Sequence, residues 1–303
     1  MPLPEPALVL LNPRAANGRA RSLAGPIAQW LAARAPQVRC EAPDGVAEAR
    51  SLIAALPAGA RLVLVGGDGT LQAMLPAILE RGCVLGLVPL GSGNDSARAL
   101  GLRALSWPDA LAHALAAPPT AIDLGECRFG DRRVPFASSL TAGFDSAVGL
   151  RALAAPRLLR GLPRYLWATL AELASLRRWT LRVEADGALV HDGDALFASV
   201  LNTPTYGGGM PAVPMARNDD ARLDLLVAGR FGRLGALAML PRLLAGRHLS
   251  HPRVTTCSFN ALAMTSPVEV PLAADGEAIG AARAWEVRIL PQVLRVARRA
   301  PPC

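Results

Sequence analysis

The sequence contains no lysine, so all 32 of its basic residues are arginines. Mechanisms that need a lysine amine are therefore excluded. Aromatic residues are also scarce, at 4% of the chain, and no zinc-finger, RNP-like or helix-turn-helix signature accompanies the arginines. We expect no nucleic-acid partner. The formal net charge of +8 suits another anionic partner, such as a nucleotide or a lipid headgroup.

Long apolar runs are absent as well, although 51% of the residues are hydrophobic. Arg, Asp, Gly or Pro interrupts each apolar stretch before the roughly 18 residues that a membrane-spanning helix needs. The first residues lack the charged segment and apolar core of a secretory signal, which favours a cytoplasmic protein. The five cysteines are scattered without a CxxC pair, so we expect free thiols and no zinc site.

The length and texture of the chain predict two domains. Over residues 1–121, apolar strands alternate with helical stretches, which is typical of an open, Rossmann-like α/β domain. The predicted strands are Ala7 to Leu11, Arg61 to Val65 and Val84 to Pro89, and the predicted helices are Ala20 to Arg34, Val46 to Leu56 and Thr70 to Glu80. From residue 122 to 290 many short strands follow one another, Val134 to Leu140 among them, and this rhythm predicts a β-sandwich. A mostly helical insertion interrupts it at 144–178, and residues 291–303 form a tail that we expect to pack back on the first domain.

A glycine-rich loop, Gly66 to Thr70, stands where a predicted strand ends and a helix begins. Glycines let the backbone approach a ligand closely, and the amide groups and dipole of a helix start favour phosphate. We expect the Asp68 carboxylate to accept hydrogen bonds or to face the metal of Mg-ATP. The alternative is an ordinary glycine turn in which Asp68 caps the helix.

Two more loops follow strands in the same way, Pro89 to Arg98 and Asn12 to Arg14. Because ligands of open α/β sheets bind at the carboxyl ends of the strands, the three loops are expected to converge on one site.

Seven short motifs then occur in a particular order. They are Asn12-Pro13, Gly66 to Thr70, Pro89 to Asp95, Asp123-Leu124-Gly125, Ala142 to Asp145, Gly207 to Met210 and Asp275-Gly276-Glu277. On these residues nearly the whole chain resembles the diacylglycerol kinase catalytic family, which includes bacterial lipid kinases and is related to sphingosine and ceramide kinases. The resemblance implies an N-terminal ATP-binding domain, a C-terminal β-sandwich of the NAD kinase and diacylglycerol kinase type, and catalysis in the cleft between them.

The resemblance also implies roles for individual residues. Asp275 would be the general base, and Glu277 would hold Mg²⁺ or tune that base. Taken alone, Asp275-Gly276 is typical of a hairpin turn. The residues expected to contact the nucleotide are Asn12, Gly66, Gly67, Asp68, Gly69, Thr70, Leu71, Gln72, Ser92, Asn94 and Asp95.

A structural Mg²⁺ site is implied at Asp220, with backbone carbonyls from Arg217 and Arg222. Ala221 replaces the family's usual glycine there, which is costly if the position needs a positive φ. Ser92 replaces a usual threonine but keeps the hydroxyl. Cys40 and Glu41 stand where the family often has a nucleotide-touching threonine, so contacts to adenine and ribose are expected to differ.

The sequence therefore predicts an ATP-dependent lipid kinase that phosphorylates a lipid hydroxyl at the inner face of the membrane. An NAD kinase-like enzyme, which shares the Gly-Gly-Asp-Gly-Thr motif, and a non-catalytic lipid-binding relative are the alternatives. The lipid stays open, and so does the choice between monomer and homodimer. The segment 156–167, with Arg157, Arg160 and Arg164 among large apolar residues, is predicted to contact anionic membrane; a helix packed on the sandwich is the alternative.

Overall fold

The chain divides into two compact units, Met1–Ile122 with Gln292–Cys303, and Asp123–Pro291. The computed structural model describes residues 6–91, 93–156, 158–159 and 162–299. None of the helices within these ranges is both long enough and apolar enough to span a membrane.

The first unit contains a parallel sheet with helices that alternate with its strands. Its strands are β1 (Ala7–Leu11), β2 (Arg39–Glu41), β3 (Arg61–Gly66) and β4 (Val84–Pro89). Its helices are α1 (Ala24–Arg34), α2 (Val46–Ala54), α3 (Asp68–Arg81), α4 (Asp95–Ala99) and α5 (Trp107–Ala116). The sheet order is β2-β1-β3-β4, with every pair parallel. Strands β1 and β3 are buried along their whole length, which explains their continuous apolar runs.

The sequence pattern located most of these elements but missed some details. The stretch from Ala20 to Arg34 was expected to be one helix; instead a 3₁₀ segment, Ala15–Leu23, precedes α1. Strand β2 was missed because it has only three residues and none of them is fully buried. Helix α5 was missed although its start signals are present: the Ser106 hydroxyl accepts from the Asp109 amide, and Pro108 lies in the first turn.

The second unit is built mainly from antiparallel strands. The elements from residue 119 onward, the first and last of which begin or end in the first unit, are β5 (Pro119–Phe129), β6 (Arg132–Phe136), β7 (Ser139–Gly143), α6 (Phe144–Leu153), α7 (Leu162–Ala174), β8 (Trp179–Ala185), β9 (Ala188–Ala195), β10 (Phe197–Leu201), β11 (Leu223–Ala228), α8 (Arg233–Leu244), β12 (Val254–Phe259), β13 (Ala261–Ala274) and β14 (Glu277–Ala297). Strands β12, β11, β10, β7, β13 and β14 follow one another in hydrogen-bonded order. Strand β8 pairs with β13 and β9, and β5 pairs with β6.

One predicted strand, Val134 to Leu140, is wrong, because the structure has two strands there, β6 and β7. The chain leaves the ladder at Ala137 and Ser138, whose backbone N–H groups donate to the Asp275 carboxylate. Strand β9 and helix α8 were not predicted. The core of this unit includes the fully buried side chains of Trp285, Phe136 and Phe259.

The last strand, β14, contributes to both units. Its early residues pair antiparallel with β13, whereas Arg295 and Val296 pair in parallel with Val84 and Leu85 of β4. The cysteines Cys40, Cys83, Cys127 and Cys257 are free thiols, and Cys303 lies outside the described residues.

Candidate active site

The first glycine loop connects β3 to α3, and two of its glycines, Gly66 and Gly67, lie too close to neighbouring atoms to carry a side chain. A Cβ atom on Gly66 would lie 2.5 Å from the Thr70 hydroxyl oxygen, so only glycine fits at this position. The Asn12 side-chain amide, just after β1, donates to the same hydroxyl oxygen at 2.8 Å. The loops that follow β1 and β3 are thus joined directly, as the sheet order predicts.

The second loop, after β4, touches the first through glycine backbone. A Cβ atom on Gly67 would lie 2.9 Å from the Cα of Gly91. Asn94 has a positive φ of 55°, and its side-chain amide donates to the Gly91 carbonyl at 2.6 Å. The Asn94 Oδ1 is buried and accepts no hydrogen bond from the described residues. The glycines therefore allow close contact between the loops.

Asp68 connects the two loops by a second route. Its carboxylate accepts hydrogen bonds from the backbone amides of Asp95, at 3.0 Å, and Ser96, at 3.2 Å, at the start of α4. Burial and then the nearby Asp95 charge raise the pKa of Asp68, and the hydrogen bonds from Asp95 and Ser96 oppose that rise. Of the two roles expected for Asp68, the structure shows the acceptor of hydrogen bonds.

The residues expected to contact the nucleotide differ in their surroundings. Leu71 and Gln72 are buried in α3, and Asp95 is buried with its carboxylate 3.8 Å from the Arg98 guanidinium. Ser92 lies outside the described residues. The residues that lie together at the carboxyl ends of β1, β3 and β4 are Asn12, Gly66, Gly67, Asp68, Gly69, Thr70, Asn94 and Asp95.

In the second unit, Asp275 and Gly276 form the two-residue turn between β13 and β14, with Ala274 paired to Glu277. Both turn residues have positive φ, 48° and 84°, as a tight hairpin requires. The structure therefore contains the hairpin turn that Asp275-Gly276 is typical of.

The same Asp275 side chain is held firmly. Its carboxylate accepts backbone hydrogen bonds from Ala137 at 2.8 Å, Ser138 at 2.7 Å and Ser139 at 3.0 Å. In return, the Asp275 amide donates to the Ser139 carbonyl. A buried carboxylate fixed in this way has a single orientation, which is what a positioned acid or base needs. Glu277 begins β14 with its side chain in contact with solvent, and partial burial raises the pKa of its carboxyl.

In the loop predicted to hold a structural Mg²⁺, backbone amides donate to nearby carboxylates. The Asp220 carboxylate accepts the Arg222 amide at 3.1 Å, and the Asp123 carboxylate accepts the Ala221 amide at 2.6 Å. Ala221 has a φ of 59°, so this position does need the left-handed conformation that glycine adopts more easily. Arg217 donates to Asp219. Within the described ranges, no group of three or more His, Cys, Asp or Glu side chains could hold a metal ion.

Asp145, the last residue of the Ala142 to Asp145 motif, is a further buried acid, and no role was predicted for it from the sequence. The Asp145 carboxylate, at the start of α6, accepts hydrogen bonds from the Tyr206 hydroxyl at 2.7 Å and the Ser199 hydroxyl at 2.9 Å. Burial raises the pKa of Asp145 to about 6, although both hydrogen bonds act to lower it. The Gly-Phe-Asp motif marks this position, but nothing in the sequence shows that one partner comes from β10 and the other from the segment that follows it.

Comparison with known proteins agrees with these observations. Residues 6–127 match the family described as diacylglycerol kinase catalytic domain, and residues 138–298 match the YegS C-terminal NAD kinase beta sandwich-like domain. A diacylglycerol kinase of Mycobacterium tuberculosis is 33% identical over 297 residues, covering 95% of this chain and 94% of that protein. A YegS-like protein of Pseudomonas putida, named a probable lipid kinase, is 34% identical over 225 residues, covering 73% and 72% of the two chains.

A crystal structure of a diacylglycerol kinase from Bacillus anthracis has the same fold. Its TM-score is 0.74 at 17% identity, and the match covers 97% of each chain. The predicted fold class, a Rossmann-like α/β domain followed by a β-sandwich domain, is confirmed. The chain belongs to the diacylglycerol kinase catalytic family, a family of lipid kinases.

Proposed function

We propose that this protein transfers the γ-phosphoryl group of ATP to a hydroxyl of a membrane lipid of the diacylglycerol type. The observation that carries the proposal is the 33% identity to a diacylglycerol kinase across 95% of the chain. The constrained glycine loops of the first unit and the fixed carboxylate of the second unit support it.

The loops of the first unit suit nucleotide phosphates. Helix α3 begins directly after β3, and Gly66, Gly67 and Gly91 keep side chains out of this region. The buried Asn94 acceptor and the Thr70 hydroxyl are further polar groups there. Bound as its magnesium complex, ATP supplies the phosphoryl group and the metal neutralises charge on it. Asp95 and the loop residues around it would hold that complex.

In this proposal Asp275 is the general base. The lipid hydroxyl oxygen bonds to the γ-phosphorus, the bond from phosphorus to the oxygen bridging the β- and γ-phosphates breaks, and ADP leaves. The hydroxyl proton passes to the Asp275 carboxylate, whose three backbone donors keep it oriented during the transfer. Glu277, two residues further on, would adjust the charge around this carboxylate.

A structural Mg²⁺ on the loop around Asp220 belongs to the same proposal. The oxygen donors fit a hard cation in kind, because they are the Asp220 carboxylate and the backbone carbonyls of Arg217 and Arg222. Against this, the Asp220 carboxylate already accepts the Arg222 amide, and Ala221 holds a strained conformation. The Asp220 side chain is exposed, so it is free to turn from the Arg222 amide toward a cation.

We also place this activity at the inner face of the cytoplasmic membrane. The free thiols of Cys40, Cys83, Cys127 and Cys257 suit a reducing compartment. A lipid acceptor requires the protein to reach the bilayer surface.

One assay separates this proposal from the alternatives. Purified protein is incubated with γ-labelled Mg-ATP and either total bacterial lipid extract or NAD, and products are resolved by chromatography. We expect label in a lipid fraction, with purified diacylglycerol as the first single acceptor to try. Label in NADP would favour an NAD kinase-like enzyme. Vesicle binding without any labelled product would favour a non-catalytic relative.

A further inference from the structure

Helix α8 carries apolar side chains on both of its faces. Its inner face packs against the unit through Ala236, Met239 and Leu243. Its outer face contains Leu234 and Leu237, which are 83% and 44% exposed, and continues through Ala238 and Pro241 to Leu244 at 39%. A helix that is apolar all round is normally buried, so this outer face is suited to a surface other than water.

The stretch of sequence that contains α8 is strongly basic. The segment 225–268 contains five arginines, Arg230, Arg233, Arg242, Arg247 and Arg253, and no aspartate or glutamate. Arg233 and Arg242 stand in the first and last turns of α8 itself. An apolar face bordered by arginines is the pattern of a helix that lies in the headgroup region of an anionic bilayer.

A cavity of about 500 Å³ opens beside the start of α8. The residues that line it include Arg178, Arg230, Arg253, His191 and Gly232, which is the N-cap of α8. The described residues that line the cavity include no carboxylate. Outside the lining, the Asp194 carboxylate forms an ion pair with the Arg230 guanidinium at 4.0 Å.

Two of these arginines are held in place by the protein. Arg178 donates through Nε to the Phe231 carbonyl at 2.9 Å, and Arg253 donates through Nη1 to the Arg230 carbonyl at 3.1 Å. The Arg253 guanidinium also lies over the Phe231 ring. The remaining guanidinium donors suit a phosphate group, because arginine matches phosphate oxygens in geometry and charge.

We infer that α8 is a membrane-docking helix, with its outer leucines in the headgroup layer and the arginine-lined cavity at its start receiving the phosphate of an anionic phospholipid. A bilayer is favoured over a second copy of this chain, because a symmetric contact across α8 would bring Arg233 and Arg242 of both copies together without an acid. Docking through α8 would bring the proposed lipid kinase to the membrane that contains its lipid substrate. The biological purpose of docking rests on the proposed function, whereas the predicted vesicle binding does not.

The docking role predicted for the segment 156–167 stays a prediction. Arg157 and Arg160 lie outside the described residues, and Arg164 donates to the Ala152 carbonyl at the end of α6. Helix α7 nevertheless adjoins α8, because Arg233 donates to the Ala174 carbonyl at 2.8 Å. The exposed Trp167 and Leu170 of α7 extend the apolar surface.

The test is sedimentation without nucleotide, using vesicles of phosphatidylcholine alone and of phosphatidylcholine with phosphatidylglycerol. We expect the wild type to bind the anionic vesicles, and less so at high salt. Leu234→Gln with Leu237→Gln should weaken that binding at least about tenfold, because both leucines leave the headgroup layer. Arg230→Gln with Arg242→Gln should weaken it roughly thirtyfold at low salt, since each arginine contributes separately.

Matched controls come from the same unit. Leu189→Gln changes a leucine of β9 whose exposure, 54%, lies between those of Leu237 and Leu234, and Arg283→Gln changes an exposed arginine of β14. Both should bind vesicles like the wild type, and thermal melts should show all variants folded. Equal vesicle binding by every variant would overturn the inference. So would unchanged vesicle binding by the leucine variant together with conversion of a dimer to a monomer in light scattering.

The docking role and the kinase activity can fail separately. If the leucine variant loses vesicle binding but still phosphorylates a water-soluble short-chain diacylglycerol, the docking inference and the proposed kinase activity are both supported. If vesicle binding responds as expected while the wild type labels no lipid, the docking inference stands and the proposed function does not.

Discussion

Asp275 and Asp186 adopt the same turn in two different hairpins of the second unit. Both have a φ of 48°, and the glycine that follows each has a φ of 84° or 81°. Both carboxylates accept backbone amides, those of Ala137, Ser138 and Ser139 for Asp275, and those of Asn260 and Ala261 for Asp186. Only Asp275 is buried, whereas the Asp186 side chain is 43% exposed.

This pair separates the structural role of an Asp-Gly turn from a catalytic one. Asp275→Asn and Asp186→Asn each replace one carboxylate oxygen that accepts a backbone amide by an NH₂ group. We expect both variants to lose stability, with Asp275→Asn losing about 1–3 kcal/mol because its donors become unsatisfied in a buried place. Urea unfolding of both variants measures this. A larger loss at the exposed Asp186 would contradict the account of the Asp275 contacts.

The close contact between the two glycine loops leads us to a second prediction, about nucleotide binding. Gly67→Ala should greatly weaken nucleotide binding, because the new Cβ would lie 2.9 Å from the Gly91 Cα and must push the loops apart. Gly45→Ala is the matched control, since Gly45 also caps a helix but its Cβ would meet nothing within 4 Å. Nucleotide titration by calorimetry should show a defect only for Gly67→Ala. Wild-type affinity in that variant would remove these loops from the nucleotide site.

Removing the Asp68 carboxylate should loosen the start of α4. Asp68→Ala leaves the amides of Asp95 and Ser96 without their acceptor, which should cost about 1–3 kcal/mol of stability and at least about tenfold in nucleotide affinity. Asp109→Ala, at the start of α5, should affect stability without affecting nucleotide affinity. Equal nucleotide affinities for the two variants would show that Asp68 does not organise the second loop.

Asp145 gives the second unit a predictable pH dependence. Because its pKa is about 6 in the folded protein and 3.8 without the fold, the folded state keeps a proton that the unfolded chain releases in this range. The free energy of unfolding should therefore fall as pH rises from about 4 to about 6, by on the order of 3 kcal/mol from this group.

The variant Asp145→Asn cannot lose that proton, so its stability should change less over the same pH range. Exposed Asp192→Asn is the control, because it should keep the wild-type pH slope. Denaturant unfolding at both ends of the range measures the difference. A pH slope in Asp145→Asn equal to that of the wild type would show that Asp145 ionises normally.

The sequence was informative where a local pattern determines the structure. Strands β1 and β4 were predicted with their observed bounds, because buried parallel strands are unbroken apolar runs. The glycine loops were found because a strand end, a helix start and several glycines stand together. The fold class followed from the resemblance and from the change in texture near residue 122.

Long-range contacts were beyond reach of the sequence. No local pattern shows that the Asp275 carboxylate binds the amides of Ala137 to Ser139, and this contact divides one predicted strand into β6 and β7. Helix α8 was missed because its apolar residues occur on all sides, so no amphipathic period marks it. The same feature, seen in the structure, suggests its role.

The most direct test of the central claim is the rate of lipid labelling by Asp275→Asn and Asp186→Asn beside the wild type. Each protein is given γ-labelled Mg-ATP and vesicles that contain diacylglycerol, at a temperature where urea unfolding shows all three folded. The account predicts labelled lipid from the wild type, a similar rate from Asp186→Asn, and a rate at least about a hundredfold lower from Asp275→Asn with nucleotide affinity retained. Near-normal labelling by Asp275→Asn would contradict its role as the base, and no labelled lipid from the wild type with any lipid extract would contradict the kinase activity itself.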